Sequence, residues 1–358
     1  MKFKPNKLIQ GHNPVSHGGL YSIKNPDSKI IDFSSNINPL GPPPGVKKYL
    51  KKNIDTLEVY PDSESTKLRK NLSWYTKVPA NKIVVGNGAT EIIYNFCHAF
   101  LNKKTPVLIP IPTFGEYEAA AKLSGCKVSF FKTMNLSENL DLFLKKIPKN
   151  GCIFLCNPNN PTGILLSRKK LLKILQNAKK KSTFVFVDEC FIELSDHKQS
   201  LVNDLKKYEN LFVLRSLTKS FGLAGLRIGY GLGNKQVISI LNKIKIPWNI
   251  SGIAQKAASA ALCYNKYLGK SKKLIDKETK FLRNSISKIG SYSCYNTSTN
   301  FILIKSKLKS KTLQKKLLRK KILIRDGSSF RGLDENHIRI AVKSHKENVK
   351  LVKALGGI

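Results

Sequence analysis

The sequence predicts an α/β fold: a large lobe built on a mostly parallel sheet flanked by helices, followed by a smaller α+β lobe. Between about residues 81 and 233, short apolar runs alternate with helix-length segments. After residue 300, three more apolar runs recur among basic helical stretches. The chain of 358 residues, 41% hydrophobic, has room for two lobes around one or two substantial cores.

Each segment follows from its residues. Residues 1–45, rich in Pro, Gly and Asn, read as an N-terminal arm that crosses the larger lobe and packs toward the small lobe and the active site. Residues 46–246 form the large lobe, with strands at KIVVG, PVLIPI, KVSFF, CIFLCN, TFVFVDE, LFVLRS and IGYGLG. Such strands, separated by helices, pair mostly in parallel, and ligands gather where loops leave their ends. Pro247 and Gly252 punctuate the end of this region. Residues 247–358 form the small C-terminal lobe, with a long helical stretch from about Gly252 to Ile289 and strands at NFILIK, KILIRD and HIRIAV.

Composition narrows the function. No stretch approaches the roughly 18 apolar residues of a membrane span. The N-terminus MKFKPNKLIQGHNP lacks the apolar run of a secretory signal, so a cytoplasmic protein with no membrane partner is expected. Seven cysteines, odd in number and scattered among apolar neighbours, suit reduced core thiols. The close pair Cys152 and Cys156 lies in one apolar strand, so no metal site is expected. A net charge of +40 invites a nucleic-acid partner. Yet only nine of the 63 basic residues are Arg, the lysines are spread over many segments, and no helix-turn-helix, zinc-finger or RNA-binding aromatic pattern occurs. The lysines read as solvated faces, without a specific nucleic-acid partner.

Common phosphate and dinucleotide signatures fail. Gly269-Lys270-Ser271 resembles the end of a P-loop, but Tyr264 stands where its first Gly belongs, and GNGATE has Glu91 where a dinucleotide fingerprint needs Gly. What remains is a set of polar residues at strand ends: Asn160 after CIFLC, Asp188 ending TFVFVD, and Ser216, Lys219 and Arg227 after LFVLR. An acid on one strand end and a lysine in the next loop suit an imine-forming pyridinium cofactor. The carboxylate keeps the ring nitrogen protonated, and the lysine holds the aldehyde and later moves a proton.

In these motifs, and over nearly its whole length, the chain resembles the fold-type I pyridoxal-phosphate enzymes of the class I/II aminotransferase superfamily. The resemblance implies pyridoxal 5'-phosphate as cofactor and a role for each matched residue. Lys219 in SLTKS matches the lysine that carries the cofactor, Asp188 the partner of its ring nitrogen, and Asn160 in NPNNPTG the donor to its phenolic oxygen. Ala89 and Thr90 in GNGATE match the phosphate-cradling turn at a helix N-terminus, with Ser216 and Arg227 as further phosphate ligands. Phe114 in PTFGEY matches the aromatic stacked on the ring. Tyr60 in VYPD matches a tyrosine that reaches the neighbouring subunit's cofactor, which implies a homodimer. Arg339 in HIRIAV matches the arginine that grips the substrate carboxylate, where a rigid guanidinium fork suits better than lysine.

Within the superfamily the chain is most similar to the threonine-phosphate decarboxylases, with the histidinol-phosphate aminotransferases as near relatives. The arm motif SHGG and the segment DFSSNINPLG resemble the decarboxylase arm, which implies substrate contacts for His17, Gly18 and Asn36. Phe191 in DECF stands where aminotransferases usually have tyrosine. Arg325 in ILIRDGSSFRGL matches a substrate-binding arginine, Asn160 is expected at the substrate too, and Arg331 has no assigned role. The implied reaction is decarboxylation of O-phospho-L-threonine to (R)-1-amino-2-propanol O-2-phosphate for cobalamin synthesis. Transamination of histidinol phosphate or a related phosphorylated amino compound is the alternative, and O-phospho-L-serine the substrate variant. Which arginine takes phosphate and which carboxylate stays open.

Overall fold

The computed structural model describes Lys4 and residues 6–358, so the first three residues and Pro5 of the expected arm lie outside it. The arm carries one short strand, β1 (Ile31–Asp32). The large sheet holds seven strands: β2 (Ile83–Asn87), β3 (Pro106–Ile111), β4 (Lys127–Lys132), β5 (Cys152–Cys156), β6 (Phe184–Asp188), β7 (Leu211–Ser216) and β8 (Ile228–Leu232). Their order is β2-β8-β7-β6-β5-β3-β4, with β8 antiparallel to both neighbours and the remaining pairs parallel. All the strands expected of this lobe are present.

The residues explain the layers. The central strands CIFLC and LFVLRS are buried at every position, as in a sheet covered on both faces. The edge strand KVSFFK is exposed at Lys127, Ser129 and Lys132 and half-buried at Val128, Phe130 and Phe131, with no position fully buried. The helix Arg168–Lys180 turns Leu171, Ile174, Leu175 and Ala178 inward at helical spacing and leaves Lys169, Lys173, Lys179 and Lys180 exposed. Ser167 caps it, its side chain accepting from the Lys170 amide. One apolar core lies on each face of the sheet.

The C-terminal part adds β9 (Tyr292–Cys294), β10 (Phe301–Ser306), β11 (Ile322–Leu323), β12 (Arg325–Asp326) and β13 (His337–Ala341). Four of these form the antiparallel order β12-β13-β10-β9, while β11 pairs in parallel with β1 of the arm. Phe33, fully buried, carries the arm into this third core. The stretch 252–289 divides into the helices Gly252–Ala261 and Asn265–Ser287. Although the first follows Pro247, its Ala254, Ala257, Ala258 and Ala261 pack into a core of the large sheet, because small side chains let it approach closely.

Candidate active site

A cavity of about 400 Å³ opens where β5, β6 and β7 end, between the sheet, the arm and the small antiparallel sheet. His17, Gly18, Asn36, Ala89, Thr90, Phe114, Asn160, Asp188, Ser216, Lys219, Arg227, Arg325 and Arg339 all border it. Tyr60 does not: it is 82% exposed, its ring 4.9 Å from that of Trp248.

Asp188, the last residue of β6, is buried at the floor. One carboxylate oxygen accepts from the Cys190 amide at 2.8 Å and the other from the Tyr117 hydroxyl at 2.6 Å. Burial drives its pKa above the usual carboxylate value, and these bonds only partly offset that. It forms no ion pair among the described residues, so the floor has a place for a cation that a ligand would bring. Lys219 stands in the one-turn helix Leu217–Ser220, which Ser216 caps through the Thr218 amide. Asn38 of the arm fixes this turn, donating from its amide to the Lys219 carbonyl at 3.1 Å and from Nδ2 to the Ser220 carbonyl at 2.7 Å. Burial first, then the Arg339 and Arg227 guanidiniums, push the lysine down to about 8.

The N-terminus of the helix Gly88–Phe100 faces the same space, with free N–H groups at the positive end of the helix dipole. Gly88 adopts a φ of +81°, and a Cβ there would meet the Arg227 guanidinium at 2.7 Å. Arg227 pairs with no carboxylate among the described residues, donating only to the Ala224 carbonyl at 3.3 Å. Gly229 is required for the same turn, since a Cβ would lie 2.5 Å from the Ala89 nitrogen.

The opposite wall is cationic. Arg325 on β12 and Arg339 on β13 are direct register partners, 7% and 6% exposed, and neither forms an ion pair among the described residues. Arg339 donates to Asn160 Oδ1 at 2.5 Å and to the Ser34 carbonyl at 2.7 Å, while its buried Nε has no partner. Burial, then repulsion from Arg325, lowers the Arg339 pKa to about 9. Arg325 donates to the Ser16 carbonyl and to Ser329 Oγ. Asn36 is buried with an unpartnered Oδ1. Two buried guanidiniums without carboxylates, beside orphaned polar atoms, form a site for an anionic ligand.

The arm approaches closely because Gly18 permits it: a Cβ there would lie 2.8 Å from the Ser34 carbonyl oxygen. His17 bonds Glu116 at 2.6 Å, and its ring lies 5.9 Å from that of Phe114. Tyr117, Glu116 and Asn38 shape the site without having been singled out from sequence. Each is joined to a partner far along the chain, so no local spacing marks it.

The family model described as aminotransferase class I and II matches residues 28–355, and the chain belongs to that family. It is a fold-type I enzyme that depends on pyridoxal phosphate. A protein of Caldanaerobacter subterraneus subsp. tengcongensis, provisionally named a threonine-phosphate decarboxylase, is 38% identical over 353 residues, 96% of this chain and 94% of its own. The crystal structure of the histidinol-phosphate aminotransferase from Clostridium acetobutylicum is 35% identical with a TM-score of 0.84, covering 92% of this chain and 98% of that one. That of the L-threonine-O-3-phosphate decarboxylase from Porphyromonas gingivalis is 29% identical, also with a TM-score of 0.84, covering 92% and 99%.

The residues present fit the cofactor. Asp188, buried without a cation, suits a protonated ring nitrogen. The turn at Ala89 and Thr90, with Arg227 alongside, suits a phosphate. Asn160 turns its Oδ1 to Arg339, leaving its amide nitrogen with no partner among the described residues. Phe114 is half-buried at the cavity wall, placed to cover a ring.

Proposed function

We propose that the protein decarboxylates O-phospho-L-threonine to (R)-1-amino-2-propanol O-2-phosphate, the linker unit used in cobalamin synthesis, and acts as a cytoplasmic homodimer. Phe191 in the wall of a cavity that also holds two buried, carboxylate-free guanidiniums carries this reading. A substrate with both a phosphate and a carboxylate meets each with a cation; transamination would bring a 2-oxo diacid to the same pair, so Phe191, without a hydroxyl where aminotransferases usually have tyrosine, separates the two readings. Exposed Tyr60 beside Trp248 suits a contact with a second subunit.

When bound, the cofactor supplies an electron sink for the pair released from a bond at the substrate's α-carbon. Asp188 would hold the proton on the ring nitrogen, and Ala89, Thr90, Ser216 and Arg227 would hold the phosphate. Which α-carbon bond breaks would depend on how this chain's residues orient the substrate. Arg325 and Arg339 grip the substrate's two anions, while His17, Gly18 and Asn36 close over it. Together they would fix the orientation of the carboxylate, and alignment of this kind contributes several kcal/mol, up to about 7–11 in well-oriented systems. Lys219 returns a proton to the α-carbon after carbon dioxide departs. Phe191 lines the cavity against Phe301 and offers no hydroxyl there.

A second reading, histidinol-phosphate transamination, is favoured by the 35% identity to the Clostridium acetobutylicum enzyme. The fate of the substrate separates the two. Mass spectrometry of a reaction given O-phospho-L-threonine alone should show the phosphorylated amino alcohol. Turnover of histidinol phosphate, dependent on a 2-oxo acid, would replace the first reading with the second.

A further inference from the structure

Two segments cover the anion-binding wall, and both are tied to the first turn of the helix Glu116–Leu123. From the arm, His17 Nε2 lies 2.6 Å from one oxygen of Glu116, whose other oxygen accepts from the Tyr94 hydroxyl at 2.6 Å. From the loop after β12, Arg331 donates from Nε and Nη2 to the two oxygens of Glu118 at 2.6 and 2.8 Å. Its guanidinium also lies 4.7 Å from the centre of the Phe130 ring. The covering segments are bonded to each other through Arg325 and the Ser16 carbonyl.

Three consecutive loop residues link this contact to the pocket. Ser329 accepts from Arg325 at 2.8 Å. The Phe330 ring lies 5.3 Å from the Arg325 guanidinium and 5.7 Å from that of Arg339. Arg331 then crosses to the large lobe as a two-pronged fork, the geometry that fixes direction as well as distance.

We propose that Glu116 and Glu118 form a two-point catch holding the arm and the loop over the pocket, with Arg331 and Glu118 as positioning residues for the two anion-gripping arginines. This rests on reading Arg325 and Arg339 as the substrate's anion holders. Through the fork, the arginine left unassigned by sequence holds the loop so that Ser329 and Phe330 meet the guanidiniums before substrate arrives, which lowers the cost of ordering them on binding.

The test uses cofactor-loaded protein and four variants: Arg331→Ala, Glu118→Gln, the charge-swapped pair Glu118→Arg with Arg331→Glu, and Lys122→Ala. Lys122 also bonds Glu118, at 2.7 Å, but neither covering segment, and serves as control. Arg331→Ala and Glu118→Gln should raise KM for O-phospho-L-threonine by about 10-fold with kcat changed less than about two-fold. Amide hydrogen exchange should quicken in residues 327–333 and in residues 13–19. The swapped pair should recover part of both effects, and Lys122→Ala should show neither. Unchanged exchange in both segments of Arg331→Ala would overturn the catch, and quickened exchange with an unchanged KM would overturn the positioning role. Exchange needs no turnover, so failure of the catch is distinguishable from failure of the proposed substrate, which would show as an inactive wild type.

Discussion

Lys219 concentrates the chemistry, and its surroundings set a pH dependence. Only the neutral amine attacks an aldehyde, and burial together with Arg339 and Arg227 brings this amine down to about 8 from the ordinary 10.5. The rate at which cofactor-free protein captures pyridoxal phosphate should therefore climb through about pH 8 and level off above it. A climb centred near 10.5 would mean that neither burial nor those neighbours depress the lysine. Stability follows the same group: its folded pKa lies below its unfolded one, so between about 8 and 10.5 the unfolded state binds more protons. Unfolding free energy of the cofactor-free protein, taken relative to Lys219→Ala, should rise with pH across that window. Lys219→Ala itself should lose turnover and the visible band of bound cofactor while remaining folded. Asp188→Asn should lower turnover by on the order of 10²-fold, because a neutral amide cannot stabilise a protonated ring nitrogen; near-normal turnover would remove Asp188 from that role. These two residues were legible because their types are informative at strand ends. Tyr117, Glu116 and Asn38 were not, since the bonds that give them meaning span 71, 99 and 182 positions.

At the scale of elements, the buried strands were legible because a sheet covered on both faces demands uninterrupted apolar runs such as CIFLC and FVFVD. The break between the helices Gly252–Ala261 and Asn265–Ser287 was not, because neither Gly nor Pro marks it. Nor does the composition of GIAQKAASAA say which lobe its small face will meet. Close approach between elements makes two glycines testable. Gly229→Ala sets a Cβ 2.5 Å from the Ala89 nitrogen and must displace the phosphate-cradling turn. A penalty of about 1–3 kcal/mol, typical of such overpacking, should weaken cofactor binding by roughly 5- to 150-fold in an equilibrium titration. Gly18→Ala presses on the Ser34 carbonyl, to which Arg339 also donates. It should raise KM for the phosphorylated substrate and leave cofactor affinity as it was; a loss of cofactor affinity instead would place the arm's role elsewhere.

For the whole molecule, the arm, the large sheet and the small sheet come together at one cavity, and the proposed homodimer has an exposed apolar surface available to it. Leu57, Val59, Tyr60, Ile246 and Trp248 are 68, 67, 82, 67 and 52% exposed, an arrangement that a second copy would cover. Sedimentation should show twice the chain mass, and a monomer at working concentration would remove Tyr60 from the cofactor site. No helix among the described residues is long and apolar enough to cross a membrane. The proposed decarboxylation rests on how the arm and the paired guanidiniums of Arg325 and Arg339 would hold the substrate's carboxylate. Its most direct measurement is carbon dioxide released by cofactor-loaded protein from O-phospho-L-threonine with no 2-oxo acid present. Release that continues over many turnovers, with one amine formed per carbon dioxide, is the predicted result. No release, with histidinol phosphate consumed once 2-oxoglutarate is added, would contradict it.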